Sequence, residues 1–241
     1  MDFRRISNIS VDCVILSFDT LSLNVLLSRR KLHMFDEYHP VIDDWILTGD
    51  HVFKSETLDK SALRIFKEAT GLDNAYKNQF RTFGNPERIK NERDLLWINS
   101  KGGNQLTMSV AYYFLLPADR ISLNNENTSW FHIKDLPPLG FDHKQIIEFS
   151  LTDLRQKVLA EPMIFELLPD KFTLNQLQAA YEAVLDKDID NRNFRKKAVH
   201  KAYIVPLDEK RTGASKKPSK LYMFSRDIYN RTSKPNQIIN I

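Results

Sequence analysis

Cysteine is nearly missing from this chain: Cys13 stands alone among 241 residues. A single thiol excludes an internal disulfide and fits a reducing, cytoplasmic setting. It lies in an apolar run, residues 11–18, so a buried and inert thiol is expected. Long apolar runs are missing as well. Nothing approaches the roughly 18–20 residues of a membrane span, so no membrane partner is expected. The opening MDFRRISNIS has neither the apolar centre nor the cleavage site of a secretory leader. No group of histidines and cysteines has zinc spacing, and neither a metal nor a cofactor is expected.

What the chain does hold is 42% hydrophobic and 27% charged residues, the proportions of a soluble globular protein. Its length suits one large domain or two ordinary ones. The net charge of +4 is unevenly spread. From Lys171 onward there are 15 Lys and Arg against 7 Asp and Glu, whereas the preceding residues hold 20 against 24. An acidic front and a basic back point to separate tasks, the basic one facing a polyanion. Solvated surface charge is the other reading that composition allows.

Residues 49–72, GDHVFKSETLDKSALRIFKEATGL, join a loop to a helix whose Ala62, Leu63 and Phe66 form a packing stripe. Ser55 or Thr57 is placed to cap it and Gly71 to end it. By spacing alone this is an ordinary amphipathic helix with an Arg64–Glu68 pair one turn apart. The stretch also resembles a Nudix box, with Gly49, Glu56, Arg64, Glu68, Gly71 and Leu72 at the positions of that family's residue types. The family's remaining box glutamates fall on Ile65 and Ala69. Positions 65, 68 and 69 share a helix face, and holding Mg²⁺ against a diphosphate takes several oxygen ligands. Glu68 alone is a poor cage. Asp50 also replaces the loop's second glycine, where backbone would approach phosphate. The fold is therefore expected to be kept and hydrolysis lost, with no catalytic residue. The alternative is an active hydrolase of a nucleoside diphosphate derivative with a tethered nucleic-acid-binding domain, its metal held by Glu56, Glu68 and a later acid such as Glu87 or Asp142.

Around the box, residues 11–18 (VDCVILSF), 23–27 (LNVLL) and 106–116 (LTMSVAYYFLL) read as strands. Residues 91–105 carry Gly102-Gly103 and few apolar residues beyond Leu95, Leu96 and Trp97, and are read as a hairpin tip or flexible loop. A helix is expected over 143–159, with His143 as a hydrogen-bonded structural histidine. The proline-bounded joint EPMIFELLP at 161–169 separates two domains, 1–160 and 161–241.

In the basic part, Thr173 is placed to cap a helix with Leu177, Tyr181, Val184 and Leu185 on its apolar side. A second helix, at about 190–200, buries Phe194 and Ala198 and turns Arg192, Arg195 and Lys196 outward together. Two strands, 202–207 and 219–224, flank a loop carrying Lys210, Arg211, Lys216 and Lys217. Helix, helix and basic hairpin is the order of a winged helix-turn-helix, although a small α+β packing domain with basic loops has it too. RNA binding is disfavoured, because the basic segment offers no evident exposed aromatics for stacking bases. Residues 226–241 are expected to form a short docked or frayed end.

The run FTLNQLQAAYEAVLDKDIDNRNFRKKAVHKAYI, with SKLYMF after it, is similar to the C-terminal domain of the Nudix-related transcriptional regulators. FRTFGNPER at 80–88 and WFHIKDLPPLGFDH at 130–143 extend the resemblance over most of the chain. It implies an α+β chain with an N-terminal Nudix-like α/β/α sandwich on a mixed sheet, followed by a winged helix-turn-helix. It also implies a homodimer that binds operator DNA under control of a small effector, a sugar such as arabinose or an ADP-ribose-like nucleotide. The effector is expected near Arg30, Glu56, Glu68 and Arg88. Loss of diphosphate–metal chemistry tilts the site toward a neutral or weakly charged ligand such as a sugar. DNA is expected to meet Asn191, Arg192, Asn193, Arg195, Lys196 and Lys197 of the second helix and Lys210, Arg211, Lys216 and Lys217 of the wing.

Overall fold

A computed structural model describes residues 5–33, 41–89, 91–103, 106–120, 127–211, 219–232 and 239. They form two compact units. The first gathers Met1–Ser17, Asn24–Leu115 and Arg120–Leu151, and the second Phe18–Leu23, Leu116–Asp119 and Thr152–Ile241.

The first unit is built on a six-stranded sheet. Its strands are β1 (Arg5–Phe18), β2 (Leu23–Leu32), β3 (Ile42–Phe53), β4 (Tyr76–Phe83), β5 (Met108–Pro117) and β6 (Thr128–His132), in the order β4-β5-β1-β3-β2-β6. Val11 and residues 13–16 of β1 are fully buried, as is nearly all of β5, so these strands are covered on both faces. β4, at the sheet edge, carries Lys77, Asn78, Gln79 and Arg81, which discourage pairing with another chain. Cys13 is buried beside the helix that crosses it, its Sγ 3.8 Å from the carbonyl of Ala62, and burial pushes its thiol up.

That helix is α1 (Leu58–Thr70). Of the two capping candidates, Thr57 accepts from the N–H of Lys60, and Gly71 ends the helix in the left-handed conformation at φ 75°. Phe66 stacks on Phe114 of β5 at 4.4 Å. Residues 91–105 depart from the sequence reading: α2 (Glu92–Ser100) occupies them, capped by Asn91. Its apolar residues Leu95, Leu96 and Trp97 are consecutive and leave no helical period to detect. What holds it is a long-range anchor, Asp94, described below. α3 (His143–Lys157) follows the expected range to within two residues.

The second unit has the order expected of a winged helix-turn-helix. A 3₁₀ turn, Pro162–Leu167, precedes α4 (Leu174–Leu185), α5 (Asn191–Val199), β7 (Ile204–Arg211), β8 (Ser219–Phe224) and α6 (Arg226–Thr232). Thr173 and Gln176 form a reciprocal capping box at the start of α4, and Asp186 closes it in the left-handed conformation. The turn to α5 is braced by side chains: Gln178 donates to Glu182 and Ile189 O, and Asn191 donates to Gln178. Phe172 exchanges backbone hydrogen bonds with Tyr222, adding a short third strand to the hairpin. Phe165 stacks on Phe224 at 4.2 Å, Tyr203 meets both edge-on, and Tyr229 of α6 packs against Tyr203 at 5.2 Å. The tail is thus docked over residues 226–232. Among the described residues, no helix is long and apolar enough to cross a membrane.

Candidate functional site

In the first unit, a cavity of about 280 Å³ is bounded by β1, β3, α2 and the segments leading into β5 and α3. Asp12 of β1 lies at its base, 6% exposed. β1 and β3 pair so that Gly49 faces Asp12, and a Cβ on Gly49 would meet Asp12 Oδ1 at 2.2 Å. The glycine is needed for that close approach rather than for backbone freedom. Ser109 donates to the Asp12 carboxylate. Arg88 Nη2 lies 3.7 Å from Asp12 and donates to Asp142 at 2.6 Å, and its Nε donates to the same carboxylate at 2.9 Å. Burial disfavours the Arg88 charge, but these acids outweigh burial and raise its pKa.

His143 completes this cluster. Its Nδ1 accepts from the N–H of Leu47 at 2.8 Å, which places the ring proton on Nε2, 3.7 Å from Asp12 Oδ1. Burial lowers its pKa against the pull of Asp12 and Asp142, so the ring is neutral. Phe141, in the left-handed conformation at φ 59°, forms part of the cavity wall and lies 5.0 Å from the His143 ring. A non-glycine residue keeps such a φ only when its surroundings enforce it. Here the enforcing contact is Asp94, which accepts from the N–H of Phe141.

Asp94 also accepts from Arg30 Nη1 at 2.6 Å, while Asp44 takes Nε and Nη2 of the same guanidinium at 2.7 and 2.8 Å. Arg30 is 1% exposed and lies against Gly140, where a Cβ would come within 2.5 Å of it. This doubly paired arginine holds α2 in place, and α2 supplies Trp97 and Ile98 to the cavity wall. Two further cations reach the cavity. Lys101 lies over the Trp97 ring at 4.8 Å, and Arg5 pairs with Asp50 at 3.4 Å. Arg5 Nε is buried with no hydrogen-bond partner among the described residues.

The box arginine is occupied differently. Arg64 donates to Glu56 at 2.8 and 3.2 Å, to Asp50 at 3.0 Å and to the carbonyl of His51 at 3.0 Å, and lies 4.0 Å over the Phe53 ring. Ser61 donates to Glu56 at 2.6 Å. Burial pushes the Glu56 carboxyl up, but the bonds from Arg64, Ser61 and the Phe53 N–H prevail and hold it below the ordinary value. Glu68 is 62% exposed and 3.5 Å from Arg64. Ile65 is closed into the core at 1% exposure. Among the described residues, no three His, Cys, Asp or Glu are gathered to hold a metal.

In the second unit, α5 buries Phe194 and Ala198 and exposes Asn191, Arg192, Asn193, Arg195, Lys196 and Lys197. Asp190 caps it. Arg195 donates to Asn175 of α4 at 2.5 Å, a contact at the surface. Lys210 and Arg211 stand at the end of β7, paired in register with Lys220 and Ser219. Lys216 and Lys217 lie outside the described residues.

Residues 164–224 match the family model of the NrtR DNA-binding winged helix domain. The chain is 25% identical over 224 residues to the ADPR responsive transcriptional repressor NtrR of Acinetobacter baylyi, covering 91% of this chain and 83% of the relative. It matches the crystal structure of Shewanella oneidensis NrtR complexed with a 27mer DNA at TM-score 0.72 and 28% identity, over 92% of this chain and 95% of that one. Residues 164–224 thus match that winged-helix domain, and over most of its length the chain is similar to the Nudix-related transcriptional regulators. A MutT/nudix family protein from Enterococcus faecalis shares the fold, with TM-score 0.66, 24% identity and coverage of 91% and 88%.

Of the effector residues read from the regulator's sequence, Arg88 lines the cavity. Arg30 stands behind the wall as the anchor of α2, Glu56 is bound to Arg64, and Glu68 points to solvent. Sequence reasoning missed Arg5, Asp12, Trp97 and Lys101. The one available signal was the acid Asp12 inside an otherwise largely apolar run.

Proposed function

We propose that this regulator is a ligand-responsive transcription factor acting as a homodimer in the cytoplasm. Its first unit binds a small effector, and its winged helix binds operator DNA. The observation that carries this reading is α5: a helix fixed through Phe194 and Ala198 with Arg192, Arg195 and Lys196 outward, inside the segment that matches the NrtR winged-helix model. A buried anchor with a cationic outer face is what a recognition helix requires.

The effector is an ADP-ribose-like nucleotide or a sugar, and the cavity chemistry favours the nucleotide. Arg5 offers an unused buried N–H, and Lys101 adds a second cation for phosphate. Trp97 and Phe141 give apolar walls for a base or ribose. The ADPR-responsive relative supports the same choice. The box no longer turns over its ligand, because one exposed glutamate is left where several carboxylates are needed. A thermal-shift comparison of ADP-ribose, ribose 5-phosphate and arabinose tests the effector, since a native-state ligand raises apparent stability. ADP-ribose is expected to give the largest shift. A shift with arabinose alone would overturn the nucleotide assignment.

A further inference from the structure

The outer face of α5 is not uniformly polar. Val199, in its last turn, is 50% exposed. By the 3.6-residue period its direction falls between those of Arg195 and Arg192, one turn beyond Arg195 along the axis and turned out from Phe194 and Ala198. It is therefore an apolar residue set inside the cationic arc. Local stability does not ask for valine there. A β-branched residue is a weaker helix former than lysine or alanine, and this one is not needed to fill the core. A local rule broken on a binding face points to a contact made only with the ligand.

Resting on the DNA-binding reading above, we propose that Val199 is a specificity residue that packs against the C5 methyl group of a thymine in the major groove. The recognition helix of a helix-turn-helix lies in that groove, and the thymine methyl is the apolar feature among the base edges there. Arg192 and Arg195 on the preceding turns bring the helix to the phosphates or guanine edges, and Val199 at the C-terminal end of the same face excludes water from the methyl. The lysines of the wing neutralise phosphate and add no such selectivity.

Single-methyl deletion in the DNA tests this. A duplex is selected from a randomised library by the full-length wild-type chain, and each thymine is then replaced singly by deoxyuridine. Affinities of wild type, V199A and V199T are measured by fluorescence anisotropy, with circular dichroism melts reporting whether each variant is folded. V199T keeps the β-branched shape and replaces a methyl by a hydroxyl, so it serves if V199A is poorly folded. Wild type is expected to lose about three- to fivefold in affinity at one thymine per half-site, the value of burying one methyl group. At that position V199A and V199T, which present less apolar surface, should lose less than wild type. Equal sensitivity to methyl removal in all three proteins at every thymine would overturn the assignment while leaving DNA binding intact. Failure to enrich any sequence would instead remove the regulator reading, and this proposal with it.

Discussion

Arg64 ties the box-like segment together. With Ile65 in the core and Glu68 in solvent, the box arginine clasps Glu56, Asp50 and the carbonyl of His51. R64A leaves Glu56 mostly buried without its charge partner, so it should cost about 3 kcal/mol of stability, measured by urea unfolding. The clasp also sets an acid limit. The folded-state pKa of Glu56 is lowered from 4.5, so its contribution is present in full above 4.5 and is lost as pH falls through the lower folded value. Unfolding titrations at pH 6 and then downward should show this loss in wild type and a flatter profile in R64A. Hydrolysis is a separate matter. ADP-ribose incubated with Mg²⁺ should stay intact, and steady turnover that disappears in E68Q would contradict the loss of catalysis. The motif spacing made Arg64, Glu68 and the two helix caps legible. The partners of Arg30 and Arg88 were not, because 64 and 54 positions separate Arg30 from Asp94 and Arg88 from Asp142.

At the scale of elements, the same contrast separates α1 and α5 from α2. The first two carry a stripe or anchor pair at helical spacing and a recognisable cap, so sequence reading placed both close to their true bounds. α2 has no sustained apolar period, the Gly102 just past its end reads equally as a loop signal, and its position depends on Asp94 reaching Arg30 and Phe141. D94A should destabilise the first unit by about 3 kcal/mol, since it removes one partner of a buried charge. It should also weaken ADP-ribose binding by isothermal calorimetry, because Trp97, Ile98 and Lys101 lose their tether. Unchanged affinity in a folded D94A would show that α2 is not part of the effector site. On α5, R195A should cost roughly 1–3 kcal/mol of operator affinity and relax sequence preference, if Arg195 contacts a base. K216A/K217A should weaken specific and random duplexes alike and flatten the salt dependence, as expected for phosphate contacts. Competition anisotropy across a salt series separates the two outcomes.

For the whole molecule, the two charge regimes seen in composition match the two tasks proposed, effector binding in the cavity on the sheet and DNA binding by the cationic helix of the small winged domain. The proposed homodimer should recognise a palindrome whose half-sites lie about one helical turn, or a multiple of it, apart. Effector control requires a difference in ADP-ribose affinity between the free and DNA-bound states, and by linkage DNA must alter ADP-ribose affinity by the same factor. The most direct measurement is anisotropy of the full chain on its selected duplex, with and without saturating ADP-ribose. The account predicts a shift in DNA affinity of about fivefold or more, matched by an equal shift in ADP-ribose affinity when DNA is saturating. DNA affinity unchanged by ADP-ribose that calorimetry shows to be bound would contradict it.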